Sequence, residues 1–204
     1  EIAQCLVGSE MCIRDSWKYR TSYVADMRML PEELPEYIES LQYLREKYRE
    51  QIDIKIGLEC EYFPEYIPWL KEQIKKYQLN YILFGNHHFH TDEKFPYFGH
   101  HTNNRDMLDL YEESAIEGME SGLYNCLAHP DLFMRSYPKF DHHCATISRH
   151  ICRTAARLNI PLEYNIGYVA YNEEHGLNTY PCPNFWHIAA NELSLIHISE
   201  PTRH

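Results

Sequence analysis

The chain has 204 residues, a formal net charge of −11, and 44% hydrophobic and 24% charged residues, which is enough apolar content for a soluble protein with a substantial core. The acidic balance argues against an electrostatic grip on nucleic acid, which needs clustered Lys and Arg to displace counterions. No apolar run approaches the roughly 20 residues that span a bilayer, and the chain reads as cytoplasmic, with a small anionic ligand still open if metal ions supply the positive charge.

Residues 1–16, ending in CLVGSEMCIRDS, and residues 193–204, LSLIHISEPTRH, lack any periodicity that joins them to the pattern between. Both resemble translated sequencing-adapter sequence and are set aside from the fold reasoning as non-native tails. The natural portion is then expected to run from about 17 to about 192, as one domain broken at both ends. Cys5, Cys12, His197 and His204 carry no meaning on this reading.

In chain order, Leu34, Tyr37, Ile38, Leu41, Leu44 and Tyr48 recur at helical spacing, with Pro31 near the start. Residues 52–58 read as a strand. Residues 64–77 read as a helix with Tyr66, Ile67, Leu70 and Ile74 on one face. The apolar run 81–84 is too short for a helix and predicts a strand buried on both faces. A long loop over 86–103, rich in His, Gly and Asn, is a candidate functional loop. A helix over about 104–121 ends at Gly122, a strand covers 124–128, and Asp141 is an N-cap for a helix reaching 158. A strand over 160–164 and a helix over 183–193 complete the pattern. Strands alternating with helices of this length predict an α/β protein with a parallel sheet or barrel.

Seven Cys occur singly, with no C-x-x-C pair, and read as reduced thiols packed as small apolar groups. The thirteen His matter through their placement. Glu59 and Glu61 follow one predicted strand, Asn86, His87 and His88 the next, His129 and Asp131 the third, and Glu163 and Asn165 the fourth. In a parallel α/β barrel the C-terminal strand ends meet at one mouth, so these positions are expected to converge. A mixed carboxylate and imidazole set suits Zn, Mn or Fe better than Ca or Mg.

The strings GLECEYFPEY, YILFGNHHF, CLAHPDLF and LEYNIGY, in this order, resemble the middle of histidinol-phosphatase members of the PHP (polymerase and histidinol phosphatase) family. The resemblance covers residues 17–192 and implies a partial, distorted (β/α)7 TIM-like barrel with up to three divalent transition-metal ions at its mouth. It implies that Glu59 bridges metals, that His129 is a ligand, and that a further ligand comes from the His87–His88 doublet, with His87 preferred because it directly follows Gly85-Asn86. Glu59 and His129 are thereby the catalytic candidates. Arg28, Arg135 and Asn165 are candidates for binding the phosphate of the substrate, and Asp131 is expected to orient His129 or its loop. No role falls to His142 and His143, and solvation is the default for His90, His100 and His101.

The implied activity is hydrolysis of L-histidinol phosphate, a small phosphate monoester, in histidine biosynthesis. The alternative is a non-catalytic, metal-binding PHP-like module of a larger assembly. The family's opening His-x-His, the Asp-His ahead of a segment like 17–28, and the last strand's Asp-x-His do not occur in this chain. About three of the ligands are therefore expected here, with little or no phosphatase activity.

Overall fold

The computed structural model describes residues 3–7, 29, 31–90, 97–177, 180–192 and 196–199. The chain divides into two compact units, Glu1–Leu83 and Phe84–His204. The boundary falls inside a strand, so no linker composition marks it in the sequence.

In the first unit, β1 (Ala3–Val7) pairs in parallel with β2 (Ile52–Cys60), with Ala3 opposite Ile52 and Val7 opposite Ile56. β1 lies within the segment set aside as a non-native tail. α1 (Leu34–Lys47) begins with Pro35 in its first turn, where the missing N–H is tolerated, and buries Leu34, Ile38 and Leu41 as one stripe. Its Tyr37 hydroxyl donates to the Gly57 carbonyl at 3.2 Å.

β2 runs two residues beyond the predicted end and takes Glu59 into the strand. Strand alternation sends Ile54, Ile56, Leu58 and Cys60 to one face and Gly57 and Glu59 to the other; residues 56–60 are buried throughout. A 3-10 turn over Pro64–Tyr66 precedes α2 (Ile67–Tyr77), so only the later part of the expected helix is α-helical. Gln78 ends α2 in the left-handed region, φ 50°, its N–H donating to the Ile74 carbonyl. Asn80 then grips Ile56 twice, donating its N–H to the Ile56 carbonyl at 2.7 Å and accepting the Ile56 N–H on Oδ1 at 3.0 Å. β3 (Tyr81–Gly85) follows. Gly57 has no room for a side chain, because a Cβ there would overlap the Tyr81 carbonyl.

In the second unit a short helix, α3 (Phe98–His101), occupies part of the expected long loop. α4 (Arg105–Glu120) is capped by Asn104, whose side chain accepts from the Met107 N–H, and α5 (His142–Leu158) by Asp141, which accepts from the Cys144 N–H. β4 (Cys126–Ala128) pairs in parallel with β5 (Leu162–Asn165), and β5 with β6 (Ile196–Ser199), which lies in the other segment set aside as a tail. The core joins Phe98, Tyr111, Phe133 and Phe185, each fully buried, through edge-on ring contacts at 5.1, 5.2 and 6.4 Å.

α6 (Ile166–His175) was not anticipated, whereas α7 (Pro183–Glu192) was. The signals for α6 are its ends: Asn165 caps it, and Gly176, at φ 65°, closes it. None of its residues is buried, so no apolar stripe announces it. Five described cysteines, Cys60, Cys126, Cys144, Cys152 and Cys182, are free and buried, as the reduced-thiol reading expected. No described helix is long and apolar enough to cross a membrane.

Candidate metal centre

In the first unit, Glu59 reaches the end of β2 with its residue only 7% exposed, and Glu61, just past the strand, is also buried. A carboxylate sheltered from water must be compensated by hydrogen bonds, a counter-charge or a metal. Arg28, the first of the three phosphate-binding candidates, lies outside the described residues.

In the second unit, the chain leaving β3 passes through Asn86, His87 and His88. Asn86 is fully buried; it donates from Nδ2 to the Tyr111 carbonyl at 3.0 Å and accepts on Oδ1 from the Ser114 hydroxyl at 2.7 Å. His87 follows with its carbonyl accepting from the Phe98 N–H at 2.8 Å. Its ring stacks on Tyr97, with centroids 5.6 Å apart, and stands 4.7 Å from the ring of His129. His88 is buried, its ring 5.8 Å from that of Tyr97. Of the doublet, His87 is the member that the second unit sets beside His129.

His129 directly follows β4 in the left-handed region, φ 32°, a conformation that costs a non-glycine residue on the order of 1–3 kcal/mol and persists only where the surroundings impose it. They do so here. Its N–H donates to Glu163 Oε2 at 3.0 Å, and the Tyr111 hydroxyl donates to the Pro130 carbonyl at 3.0 Å and approaches the His129 carbonyl at 3.4 Å. Burial pushes the Tyr111 phenol well above its usual range, with the charge of Asp131 adding to the effect, so it remains a donor.

Asp131 faces away from the imidazoles in its hydrogen bonding. Its Oδ2 accepts from the Cys182 N–H at 2.6 Å and the Trp186 indole N–H at 3.1 Å, tying the loop after β4 to the start of α7. Burial raises this carboxyl from 3.8 to about 7, against the lowering effect chiefly of the hydrogen bond from Cys182. Arg135 lies over the Tyr168 ring at 5.3 Å. Asn165 accepts from the Tyr168 N–H at 3.3 Å as the cap of α6. His90, left to solvent by the sequence reading, pairs with Glu117, and His143, to which it gave no role, pairs with Asp109. His100 is held below its usual range, first by burial and then by the positive charge of Arg135 and by His101.

Sequence reasoning missed the roles of Tyr111 and Ser114 altogether. Neither stands in a motif, although both fall on the buried face of α4.

No family model matches the chain. In sequence it is similar to a Deinococcus radiodurans protein named "Probable histidinol-phosphatase", 29% identical over 129 residues that make up 61% of this chain and 49% of that one. A Schizosaccharomyces pombe protein of the same name is 35% identical over 74 residues, 34% of this chain and 24% of that one. The chain thus spans about half the length of the first relative and about a quarter of the second.

Among solved structures, that of the "putative histidinol phosphatase hisK from Listeria monocytogenes" superposes with a TM-score of 0.69 at 15% identity, covering 97% of this chain and 82% of its own. That of histidinol phosphate phosphatase from Lactococcus lactis, complexed with zinc, L-histidinol and phosphate, gives 0.58 at 18% identity, covering 84% of this chain and 68% of its own. The chain is therefore an α/β protein with the fold of solved histidinol phosphatases, and in sequence it is similar to proteins of the histidinol-phosphatase type that its four motifs resemble.

Proposed function

We propose that the protein is a metal-dependent phosphomonoesterase that hydrolyses L-histidinol phosphate to L-histidinol and phosphate, a late step of histidine biosynthesis. The observation that carries this reading is the pairing of His87 with His129, whose rings stand 4.7 Å apart on the loops that follow β3 and β4. Two imidazoles at that spacing fit a common ion reached through bonds of ~2 Å. Glu59 is the third proposed ligand, on the resemblance of the motif that carries it. Such a set suits zinc, manganese or iron, with up to three ions in an intact family site. The Lactococcus lactis protein, which was solved with zinc, supports a divalent transition metal.

When bound, such an ion supplies Lewis-acid charge to phosphoryl oxygens and acidifies an adjacent water towards a pKa of roughly 7. The chain's own residues do the positioning. His87 and His129 would each present an imidazole nitrogen to the ion, and the Glu59 carboxylate would offset its charge. Arg135 and Asn165, with Arg28, are the proposed phosphate partners; the present engagement of Arg135 with Tyr168 and of Asn165 with the Tyr168 N–H means that each must exchange a neighbour to serve. We also infer a cytoplasmic location, supported by the five buried free thiols.

The test is calorimetric titration of the chain with Zn2+. Glu59→Gln, His87→Ala and His129→Ala should each weaken binding by at least tenfold, whereas His88→Ala should not. Retained affinity in His129→Ala would sink the proposed centre. Phosphate release from L-histidinol phosphate should require the added ion. This chain, in which the family's first-strand His-x-His and last-strand Asp-x-His are not found, should turn over far more slowly than a full-length relative; a comparable rate would contradict the ligand count.

A further inference from the structure

Helix α4 reaches both histidine-bearing loops of the second unit through one residue. The Tyr111 carbonyl accepts from Asn86, the residue before His87, and Asn86 is held from its other end by Ser114 on the same helix. The Tyr111 hydroxyl donates to the Pro130 carbonyl and approaches that of His129. Between these two polar ends the ring is fully buried and locked edge-on by Phe98 and Phe133, with centroids 5.1 and 5.2 Å away.

We propose that Tyr111 is a positioning residue: its carbonyl, acting through Asn86, and its hydroxyl together set the loops carrying His87 and His129 at the spacing that one metal ion requires. The inference rests on the metal-binding reading of those two histidines. A buried tyrosine needs some acceptor for its O–H, but core packing alone would be served by any carbonyl. Here both polar ends fall on the two loops in question. A rigid helix that fixes ligand-bearing loops shortens the search for the bound geometry, and partners of this kind typically change metal affinity by 10–100-fold.

The experiment is titration of the whole chain with Co2+, followed by its visible absorption, which reports ligand number and geometry as well as affinity. Tyr111→Phe, which keeps the ring, should bind about tenfold more weakly and give an altered spectrum. Ser114→Ala, which releases only the Asn86 side, should move both readouts in the same direction by a smaller amount. Ser148→Ala removes an equally buried hydroxyl, one that donates to the Cys144 carbonyl on α5, and should leave both unchanged.

Affinity and spectrum within twofold of wild type for both Tyr111→Phe and Ser114→Ala would overturn the proposal. So would weaker binding with an unaltered spectrum that Ser148→Ala reproduces, since that is general softening of the fold. If Tyr111→Phe does not fold, the Ser114→Ala comparison decides. Failure of the wild-type chain to bind Co2+ would instead remove the metal reading itself.

Discussion

Replacing Gly118 by alanine sets two opposed effects of known sign against each other. In the last turn of α4 the change should stabilise by at most about 1 kcal/mol through propensity, but a Cβ built at Gly118 overlaps Cε1 and Cζ of Phe84. Phe84 is fully buried and stacked on Tyr124 at 4.7 Å, so its ring cannot swing into solvent. Restoring an ordinary carbon contact of about 3.5 Å demands a shift of roughly an ångström, which places the cost at the upper end of the overpacking range, about 3 kcal/mol. The net expectation is a loss of about 2 kcal/mol, or a thermal midpoint lower by roughly 4–8 °C for a chain of this size, read by near-ultraviolet circular dichroism of the metal-free chain.

Adding Phe84→Leu should recover part of that loss and reveal a coupling of about 1 kcal/mol or more in a double-mutant cycle. Gly122→Ala is the contrasting case. Nothing lies within 4 Å of its would-be Cβ, and its cost should come from φ 70° alone. A higher midpoint for Gly118→Ala, as for an uncrowded helical glycine, would show that the packing of Phe84 against α4 is misread.

Asp131→Asn should change the pH dependence of stability in the presence of a chelator. The carboxyl ionises near 3.8 when unfolded and at about 7 when folded, so the stability linked to its protonated form is complete below about pH 4 and is lost as pH rises through 7. At ~1.4 kcal/mol for each pH unit the loss totals roughly 4 kcal/mol. The advantage of the neutral asparagine should therefore grow across that window in denaturant titrations, and a difference independent of pH would refute the raised ionisation of this buried carboxyl. Asn165→Ala should cost about 1 kcal/mol by uncapping α6, while Asn165→Ser should recover most of it; equal stabilities would mean that the contact with the Tyr168 N–H contributes nothing.

Much of the scaffold is legible from residue patterns because its signals are local. The apolar run 81–84 became β3, and Asp141 and Asn104 cap α5 and α4 through their own side chains. The misses have physical reasons. β2 extends to Cys60 because Glu59 and Cys60 continue the two-residue alternation of the strand, so nothing in the pattern ends it at Leu58. α6 buries nothing and so left only its caps to find it by. β1 and β6 pair through main-chain hydrogen bonds that ask little of side-chain pattern.

At the candidate centre, the residue types after each strand were readable but the network behind them was not. Asn86 meets Tyr111 and Ser114 across 25 and 28 residues, and Asp131 meets Cys182 and Trp186 across 51 and 55. Asp131, expected to orient His129 or its loop, accepts from Cys182 and Trp186, and these bonds tie that loop to the start of α7.

That network explains how the loop after β4 holds a conformation it would not adopt alone. A residue preceding proline is driven towards extended backbone, yet His129 precedes Pro130 and sits at φ 32°. Its N–H is taken by the Glu163 carboxylate, and the carbonyls of His129 and Pro130 face the Tyr111 hydroxyl. A charge-assisted hydrogen bond contributes roughly 1.5–3 kcal/mol and a neutral one about 1 kcal/mol, together enough to offset the on the order of 1–3 kcal/mol that the strained residue costs. Because these partners come from β5 and from α4, the backbone of His129 is held by two rigid elements at once.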